Sequence, residues 1–552
     1  MEQYLDFFKK PLKNYIFILF IIVVGFTLYI NTFQNKMFWD DDDGILKNQF
    51  VQDWQYFPKY FSENLIAGRG LSSDYWRPAL LSVFSLEWHL WGTWTPGYHF
   101  INTSIHIADA ILLFLILLYL FKNRPLAILT ALIFLVHPLQ TEAVAYVSGL
   151  GDSLSVFFMF SSILFYLHFR MSEKSQFLST PYFISLFMFI FSFMSKETAI
   201  ILPALIFISD FVFLDQGEKL SLREKLKKIT KAVWPFFVLA GVYILLRATV
   251  LNFVNTFNLY NEENAFTTNF HIRLFTFFRI LTAYFGLLFW PFDLHMERSI
   301  HLANSFASFS VILGGLIFLS LLVLALMKFK RFPILGFGIL WFLIGLSPTS
   351  NLLIPINGLI YEHWLYLPLI GIFLVLIWLG MILGERYNIE KILALILIAF
   401  LVFLSVLTIN RNKDWYDPIT FYNQTLKYAP SSYRVVNNLG MAYDDQGSYE
   451  KAEETYKRAI SLVPTNPVAF HNLGNSYKEE GRTDLAVENF EKAISLDPGF
   501  FFSYNALVNI YAEKKDYEKV LYYLGKISEA DPENQAIETL IERVKEMIEL
   551  KK

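Results

Sequence analysis

Four consecutive carboxylates, Asp40 to Asp43, are the first candidates for chemistry in this sequence. Adjacent carboxylates repel one another, so a cation gathers them, basic side chains neutralise some of them, or water solvates each one. Their spacing does not match the ligands of an EF-hand calcium loop. Taken alone, such an acidic run favours the solvated interpretation.

Seven further ionisable side chains lie at the ends of apolar segments, where a charge is costly unless it has a partner or a use. They are Arg77 in YWRP, His137 and Glu142 in HPLQTEAV, Lys196 and Glu197 in SKETAI, and Glu362 and His363 in YEHWLYLP. Acids and cations gathered in one layer can hold a phosphate beside a base. Each residue also has a structural interpretation, as an interfacial anchor or as one member of an ion pair.

A polar stripe lies inside one apolar segment. His99, Asn102, His106 and Asp109 are spaced by three or four residues, so they share one face of a helix. A hydrogen bond between His106 and Asp109 explains this pair more simply than catalysis does.

The elements that must position these residues are membrane helices. The chain of 552 residues is 55% hydrophobic and 18% aromatic but only 17% charged, against about 25% charged in a soluble domain. No charged side chain occurs from Asn14 to Asn35, a length that crosses ~30 Å of hydrocarbon as a helix. The composition therefore predicts an integral membrane protein.

We predict an all-α chain with about eleven transmembrane helices. They cover residues 14–33, 98–121, 126–141, 150–169, 181–194, 200–214, 233–251, 311–327, 334–346, 365–383 and 392–409. The apolar stretch 271–291 carries two arginines and is predicted to be a partly buried or interfacial helix. Lys9, Lys10 and Lys13 place the N-terminus in the cytoplasm by the positive-inside rule. The acidic run, in loop 34–76, and the C-terminus then lie on the exported side.

The C-terminal part carries a repeat of 34 residues. Asn438-Leu439-Gly440 recurs as Asn472-Leu473-Gly474, and Pro464 recurs as Pro498 and Pro532. Such units are helix-turn-helix pairs, and they resemble the tetratricopeptide repeat (TPR). The expected order is a membrane domain over 1–410, a linker over 411–430, about three repeats forming an α-solenoid over 431–534, and a capping helix over 535–552.

Cysteine content and charge exclude several classes of function. No cysteine is present, which excludes disulfides, thiolate nucleophiles and cysteine-ligated metal sites. The region before Arg411 has 28 Lys+Arg against 26 Asp+Glu, and the region from Arg411 onward has 18 against 23. Neither part is basic enough to predict nucleic-acid binding.

The order of its motifs resembles that of the transmembrane and tetratricopeptide-repeat-containing O-mannosyltransferases, which have the GT-C glycosyltransferase fold. The matching segments are FWDDDDGILKN, YWRPALLSVFSLEWHL, YHFINTSIHIADAILL, VHPLQTEAVAYVSGLGDSLS, SKETAI, SPTSNLLIPINGLIYEHWLYLPLIG and NRNKDWYD, followed by the repeats. In that family an acidic pair, two further residues, a small residue and Ile open the first exported loop. Asp40 and Asp41 are the matching positions here.

The resemblance implies inverting transfer of a sugar, in this family mannose, from a polyprenyl-phosphate donor to a hydroxyl acceptor, a protein Ser or Thr. The repeats would recruit the acceptor or a partner protein. A carboxylate must take the hydroxyl proton, and cations must hold the phosphate leaving group. The implied site residues are Asp40 or Asp41 as the base, Arg77 with Lys196 or His363 at the phosphate, and His137, Glu142, Glu197 and Glu362 in support. Mg²⁺ or Mn²⁺ at Asp40 and Asp41 stays an open alternative, as in some lipid-linked oligosaccharide transferases.

Two features depart from the family. His363 stands where an arginine is expected, so its contact with the phosphate would titrate near neutrality. An array of about three repeats is also short, and it offers only a small concave surface to an acceptor.

Two other functions compete with this one. A transporter or lipid flippase using the membrane acids as a proton path predicts interrupted helices and internal pseudo-repeats, and no clear halves are visible. A membrane-anchored TPR scaffold gives the membrane-embedded His, Asp and Glu no purpose. The Lys, Phe and Ile content favours a bacterial plasma membrane, with a periplasmic or external repeat domain, over an endoplasmic reticulum.

Overall fold

The computed structural model describes residues 12–171, 179–215, 221–253, 265–298, 300–329, 331–356, 358–530 and 535–549. Within these ranges the regular structure is helical and no β-strand occurs, so the prediction of an all-α chain is confirmed. Lys9, Lys10, Pro532 and residues 550–552 of the predicted capping helix lie outside the described residues.

Two compact units divide the chain between Asp417 and Pro418. The first unit contains a large apolar core built from helices. Its helices are α1 (Leu12–Tyr29), α2 (Gln49–Gln52), α3 (Pro78–Trp91), α4 (Thr95–Phe121), α5 (Arg124–Val136), α6 (Thr141–Ala145), α7 (Leu150–Met171), α8 (Thr180–Ser195), α9 (Leu202–Asp215), α10 (Leu222–Ala248), α11 (Ala265–Thr268), α12 (Phe270–Phe289), α13 (Phe309–Lys328), α14 (Pro333–Leu346), α15 (Leu369–Tyr387) and α16 (Glu390–Asp414).

The chain is a multi-pass membrane protein. Eight segments of the described residues are long and apolar enough to cross a membrane, and a ninth arises if α5 and residues Pro138–Ala145, bent by 57°, count as one span. The eight are Asn14–Gln34, Thr95–Phe121, Val147–Met171, Leu222–Ala248, Phe270–Phe289, Phe309–Met327, Leu369–Tyr387 and Glu390–Asp414. The eleven transmembrane helices predicted from the sequence included α8, α9 and α14, which have only 16, 14 and 14 residues. Such helices are shorter than the roughly 20 residues that a bilayer requires.

The stretch predicted to be interfacial is α12, a regular helix of 20 residues. Arg273 donates from Nη1 to the carbonyl oxygen of Thr267 at 2.7 Å, and Arg279 donates to that of His301 at 2.6 Å. Backbone carbonyls therefore accept hydrogen bonds from both guanidinium groups, while the Nε of each arginine is buried without a hydrogen-bond partner. The exported C-terminus was predicted from an odd number of crossings. A crossing by α12 would add one to that number and make it even.

Helices α14 and α15 approach each other closely through one glycine from each. A Cβ on Gly371 would lie 2.1 Å from the carbonyl oxygen of Gly338, and a Cβ on Gly338 would lie 2.5 Å from that of Gly371. No side chain fits at either position, and small residues of this kind allow membrane helices to pack backbone to backbone. The contact fixes the two ends of the loop 347–368, which carries site residues.

The second unit is built from helix pairs. Its helices are α17 (Pro418–Tyr428), α18 (Tyr433–Asp445), α19 (Tyr449–Leu462), α20 (Pro467–Glu479), α21 (Thr483–Leu496), α22 (Phe501–Glu513), α23 (Tyr517–Ala530) and α24 (Gln535–Glu549). The repeated glycines face aromatic rings of the following helix: a Cβ on Gly440 would lie 2.5 Å from Tyr456, and one on Gly474 would lie 2.7 Å from Phe490. The 34-residue spacing therefore corresponds to one helix pair. Helix α17 lies inside the stretch that was expected to be a linker.

Candidate active site

Asp41 lies in the loop that follows α1, and its side chain is completely buried. Its Oδ1 accepts hydrogen bonds from the backbone N–H of Ser148 at 2.8 Å and from the Ser148 hydroxyl at 2.5 Å. Its Oδ2 accepts one from the backbone N–H of Phe38 at 3.1 Å. Burial raises the pKa of Asp41 to about 7, although the hydrogen bonds from Ser148 and Phe38 lower it.

The neighbouring Asp40 has a different environment, because it is exposed. Its backbone N–H donates to the hydroxyl of Tyr146 at 2.9 Å. The ring of Tyr146 stacks on that of Trp415, with centroids 5.1 Å apart. The backbone of Asp40 is thus fixed against the residues preceding α7 and following α16, although the residue itself is exposed.

The other two acids of the run pair with basic side chains. Asp42 Oδ2 lies 2.5 Å from Lys47 Nζ, and Asp43 Oδ1 lies 3.5 Å from Arg69 Nε. Among the described residues, no group of three or more His, Cys, Asp or Glu side chains is placed to hold a metal ion. Asp41, Asp42 and Asp43 each have a separate side-chain partner, so the run does not converge on one ion, and we derive no step through Mg²⁺ or Mn²⁺.

Arg77 precedes α3 and forms a two-pronged ion pair with Glu197. The two bonds join Nε to Oε2 at 3.0 Å and Nη2 to Oε1 at 2.7 Å. The guanidinium carbon also lies 4.4 Å from the ring centroid of Tyr75. Burial alone would raise the pKa of Glu197, but the Arg77 guanidinium lowers it to about 2. The side chain of Glu197 remains 39% exposed, so a ligand can reach the pair.

Lys196 is the second predicted phosphate-binding residue, and it pairs with Asp152. Its Nζ lies 2.7 Å from each carboxylate oxygen. Asp152 and His363 line the same narrow cavity with Tyr366. The cavity has a volume of about 30 Å³, enough for one or two water molecules but not for a sugar ring.

His363, the third predicted cation, pairs with Glu142. Nδ1 lies 2.8 Å from Oε1, and the backbone N–H of His363 donates to Oε2 at 3.0 Å. Glu362 points the other way: its Oε1 accepts from Arg298 Nη2 at 3.0 Å, and its Oε2 lies 3.4 Å from Arg411 Nη2. Burial raises the pKa of Glu362 above its ordinary value in spite of these two guanidinium groups.

His137 and the polar stripe of α4 have structural partners. Nδ1 of His137 accepts from the backbone N–H of Leu139 at 3.2 Å and so caps the turn that follows α5. The hydroxyl of Tyr366 donates to Asp109 Oδ2 at 2.7 Å and lies 2.7 Å from Nδ1 of His106. The pair that we predicted to bond directly is therefore joined through Tyr366.

These contacts join residues of separate loops and helix ends in pairs and small groups, and the set is called here the polar layer. It contains Asp40, Asp41, Arg77, Glu142, Asp152, Lys196, Glu197, Arg298, Glu362, His363 and Arg411. Sequence reasoning missed three of its members, Asp152, Arg298 and Arg411. Asp152 and Arg411 stand in the segments GLGDSLS and NRNKDWYD that carried the resemblance, whereas no pattern marks Arg298.

Comparison with known families identifies the repeats. The family described as TPR repeat matches residues 440–481, and the family described as Tetratricopeptide repeat matches residues 467–500. The predicted TPR repeats are confirmed.

About four fifths of the chain matches curated relatives that are named protein O-mannosyl-transferase. Protein O-mannosyl-transferase TMTC4 of Homo sapiens is 24% identical over 481 residues, 78% of this chain and 64% of the relative. Protein O-mannosyl-transferase Tmtc1 of Drosophila melanogaster is 25% identical over 527 residues, 79% of this chain and 60% of the relative. Protein O-mannosyl-transferase TMTC3 of Mus musculus is 25% identical over 467 residues, 80% of this chain and 50% of the relative.

This chain is similar to the protein O-mannosyl-transferases. The resemblance inferred from the motifs is thereby confirmed, and the chain spans 50% to 64% of the length of these three relatives. Among solved structures, the chain matches one titled "Crystal structure of APC/C hetero-tetramer Cut9-Hcn1", with 13% identity over 85% of this chain and 88% of that one. The TM-score of 0.23 is too low to relate the two folds.

Proposed function

We propose that this protein is an inverting membrane glycosyltransferase. It transfers a sugar, mannose, from a polyprenyl-phosphate donor to the hydroxyl of a protein Ser or Thr. The observation that carries the proposal is the similarity to three relatives that are all named protein O-mannosyl-transferase, each over more than three quarters of this chain. The polar layer supports it with an exposed acidic residue on a fixed loop, Asp40, and with cations at several helix ends.

Asp40 is the better candidate for the catalytic base. Asp41 has no exposed surface and already accepts three hydrogen bonds, so an acceptor hydroxyl cannot reach it. Its role in the proposal is to hold the loop against Ser148. Asp40 takes the proton of the acceptor hydroxyl while that oxygen attacks C1 of the sugar on the face opposite the phosphate. The bond from C1 to the phosphate oxygen breaks, and polyprenyl phosphate leaves with the electron pair.

Arg77 is the better candidate for the phosphate contact. Its guanidinium has five N–H donors, of which the ion pair with Glu197 uses two. Phosphate and carboxylate fit the same planar fork, so the donor can share Arg77 with Glu197 or displace it. Lys196 and His363 are already paired with Asp152 and Glu142, so they would have to exchange partners to bind phosphate. Glu142, Glu197 and Glu362 orient the cations, and His137 shapes the turn after α5.

The proposal includes location and recruitment. The protein would lie in a bacterial plasma membrane with nine crossings, the bent pair counted as one span. Its N-terminus would then lie in the cytoplasm, and the polar layer and the TPR unit on the exported side. Its partners would be the lipid-linked sugar, membrane lipid and a polypeptide acceptor.

The test measures transfer of radiolabelled mannose from polyprenyl-phosphate mannose to protein, in membranes that carry the wild type or a variant. Asp40→Asn should lower the transfer rate by about 100-fold or more, the usual effect of removing a general base. Asp43→Asn is the matched control, because Asp43 belongs to the same acidic run but pairs with Arg69. Full activity of Asp40→Asn at normal expression would show that Asp40 is not the catalytic base. Absence of labelled protein with the wild type would show that the protein is not this transferase.

A further inference from the structure

One exposed face of α10 changes from basic to aromatic to aliphatic along its length. Six exposed residues on this face are separated by three, four or seven positions, a spacing that places them on one side of a helix. They are called here the graded stripe and are, in order, Arg223, Lys227, Lys231, Trp234, Val238 and Leu245. The last three are large apolar side chains that are 54%, 50% and 62% exposed. The stripe therefore offers positive charge at one end and apolar surface at the other.

The basic end of the stripe carries an excess of positive charge. Residues 222–231 contain five Lys or Arg and a single acid, Glu224. Glu224 caps the start of α10, where its Oε2 accepts hydrogen bonds from the backbone N–H of Ser221 at 3.0 Å and from the Ser221 hydroxyl at 2.6 Å. The carboxylate is thus directed to the helix start, and the stripe itself contains no acid.

The basic end of α10 lies at the end of the membrane helices opposite the polar layer. Lys225 Nζ lies 3.6 Å from the ring centroid of Phe211 on α9. The preceding residue of α9, Asp210, pairs with Arg170 in the last turn of α7, with Oδ1 and Nε 2.8 Å apart. Asp152 of the polar layer stands in the first turn of α7, about 27 Å from Arg170 along the helix at 1.5 Å per residue. That distance is close to the thickness of a hydrocarbon core.

The order of side chains on the stripe follows the depth profile of a lipid leaflet. Helix α10 is one of the eight segments that can cross a membrane, so its basic turns lie among headgroups and its later turns lie in hydrocarbon. Trp234 stands between the two parts, where tryptophan is enriched in membrane proteins. Gly241 lies between Val238 and Leu245 on the same face, and a Cβ there would meet nothing within 4 Å. The apolar half therefore has a shallow gap that can hold an acyl chain.

The charge of the stripe selects one class of lipid. Three cations spaced along one face attract a phosphate, and basic groups of this kind at a membrane surface favour anionic lipids. A zwitterionic headgroup carries its own ammonium group, which these cations repel. A free phosphate ion would leave the apolar half of the stripe uncovered, whereas a phospholipid covers both halves.

We propose that the graded stripe binds an anionic phospholipid, with its phosphate among Arg223, Lys227 and Lys231 and an acyl chain along Val238 and Leu245. Long basic side chains reach along a helix toward the headgroup level, so several can meet one phosphate. This inference goes beyond sugar transfer, because the stripe lies away from the polar layer and its binding can be measured without a sugar donor.

The experiment measures which lipid contacts the apolar half of the stripe. The chain has no cysteine, so Val238→Cys gives a single site for a bimane fluorophore. The labelled full-length protein is placed in phosphatidylcholine nanodiscs with an increasing fraction of brominated phosphatidylglycerol or, separately, of brominated phosphatidylcholine with the same chains. Bromine quenches bimane on contact. Half-maximal quenching should require about tenfold less of the anionic lipid.

Neutralising the basic end should abolish this preference. The test variant combines Arg223→Gln, Lys227→Gln and Lys231→Gln, all at exposed positions. A charge-conserving variant with Arg223→Lys, Lys227→Arg and Lys231→Arg should keep the preference, which separates the effect of charge from that of side-chain shape. In the protein that carries only the label, the preference should also fall as salt is raised, because salt screens exposed charges.

Two controls test whether the effect is local to α10. The first removes the same charge from exposed positions of the second unit by Lys492→Gln, Lys514→Gln and Lys545→Gln, and the preference should remain. The second places the fluorophore by Leu319→Cys on α13, where Leu319 is 56% exposed, and both lipids should quench it equally.

Four results would overturn the proposal. They are equal quenching of the Val238 label by both lipids, the same preference at the Leu319 label, a preference that persists in the Gln variant of α10, and a preference lost in the control of the second unit. Loss of the preference on adding inorganic phosphate at constant ionic strength would also overturn it, because a free anion would then be the occupant.

Discussion

Arg77 and Glu197 are 120 positions apart in the chain and meet through two parallel hydrogen bonds of 2.7 and 3.0 Å. The pair ties the residue before α3 to the turn between α8 and α9. A guanidinium fork of this geometry binds phosphate as readily as carboxylate. Glu197 therefore holds the Arg77 guanidinium in a fixed orientation, which in the proposed mechanism faces the phosphate leaving group.

Arg77→Lys should raise the KM for the polyprenyl-phosphate donor and lower kcat, so that kcat/KM falls by about tenfold or more. The reason is that an ammonium group cannot make both hydrogen bonds of the guanidinium. Transfer kinetics at varied donor concentration measure the effect. Arg69→Lys is the matched control, since Arg69 pairs with Asp43 in an exposed, single contact. Wild-type donor kinetics in Arg77→Lys would show that the guanidinium does not bind the donor.

Asp41 should make stability fall as pH rises. Its pKa is about 7 in the folded chain against an ordinary value of 3.8, so the folded state binds a proton that the unfolded state has released between these values. This contribution is complete below about pH 4 and is lost toward pH 7, by about 1.4 kcal/mol per pH unit. Asp41→Asn should remove this slope when the Tm is measured at pH 5 and pH 7.5. An equal change of Tm with pH in the wild type and in Asp41→Asn would contradict a raised pKa of the buried Asp41 carboxyl.

The fold could be predicted from local patterns, whereas much of the polar layer depends on distant partners. Apolar segments predict the helices, and the recurrence of Gly440 as Gly474 predicts the helix pairs. The sequence alone could not show which aspartate of the acidic run is buried, because the burial of Asp41 depends on Ser148, 107 positions away. Likewise, nothing near Glu362 in the sequence indicates Arg298. The arginines of α12 bond mainly to backbone carbonyls, and such partners leave no pattern in a sequence.

His363→Ala should destabilise the membrane unit. Glu142 is only 6% exposed, and its two oxygens contact His363 at 2.8 and 3.0 Å. Removing the imidazole takes away one of the two contacts of a buried carboxylate, while the backbone N–H of residue 363 remains, at a cost of about 1–3 kcal/mol. The measurement is the Tm of the detergent-solubilised protein, with exposed His301→Ala as control. Adding Glu142→Gln should recover part of the loss, and no loss in His363→Ala would show that the pair is not stabilising.

Gly474→Ala should weaken the second TPR pair. The new Cβ would lie 2.7 Å from the ring of Phe490, which is fully buried and cannot move aside. Overpacking of this kind costs about 1–3 kcal/mol. Hydrogen exchange of the amides in α20 and α21 measures the local free energy of opening. Gly525→Ala in α23 is the control, because its Cβ meets nothing within 4 Å, and it should be neutral or slightly stabilising.

Gly371→Ala should separate α14 from α15 and so disturb the loop that joins them. Its Cβ would lie 2.1 Å from the carbonyl oxygen of Gly338 and 2.9 Å from the backbone nitrogen of Phe342. Because both are backbone atoms, the helices themselves must move, and the loop with Glu362 and His363 moves with them. We expect a lower Tm together with a loss of transfer activity at temperatures where the variant is still folded. Gly380→Ala on the same helix meets nothing within 4 Å and should behave as the wild type, since a methyl group alone does not disturb a membrane helix. Equal activity in both variants below the Tm would show that the contact between α14 and α15 does not position the polar layer.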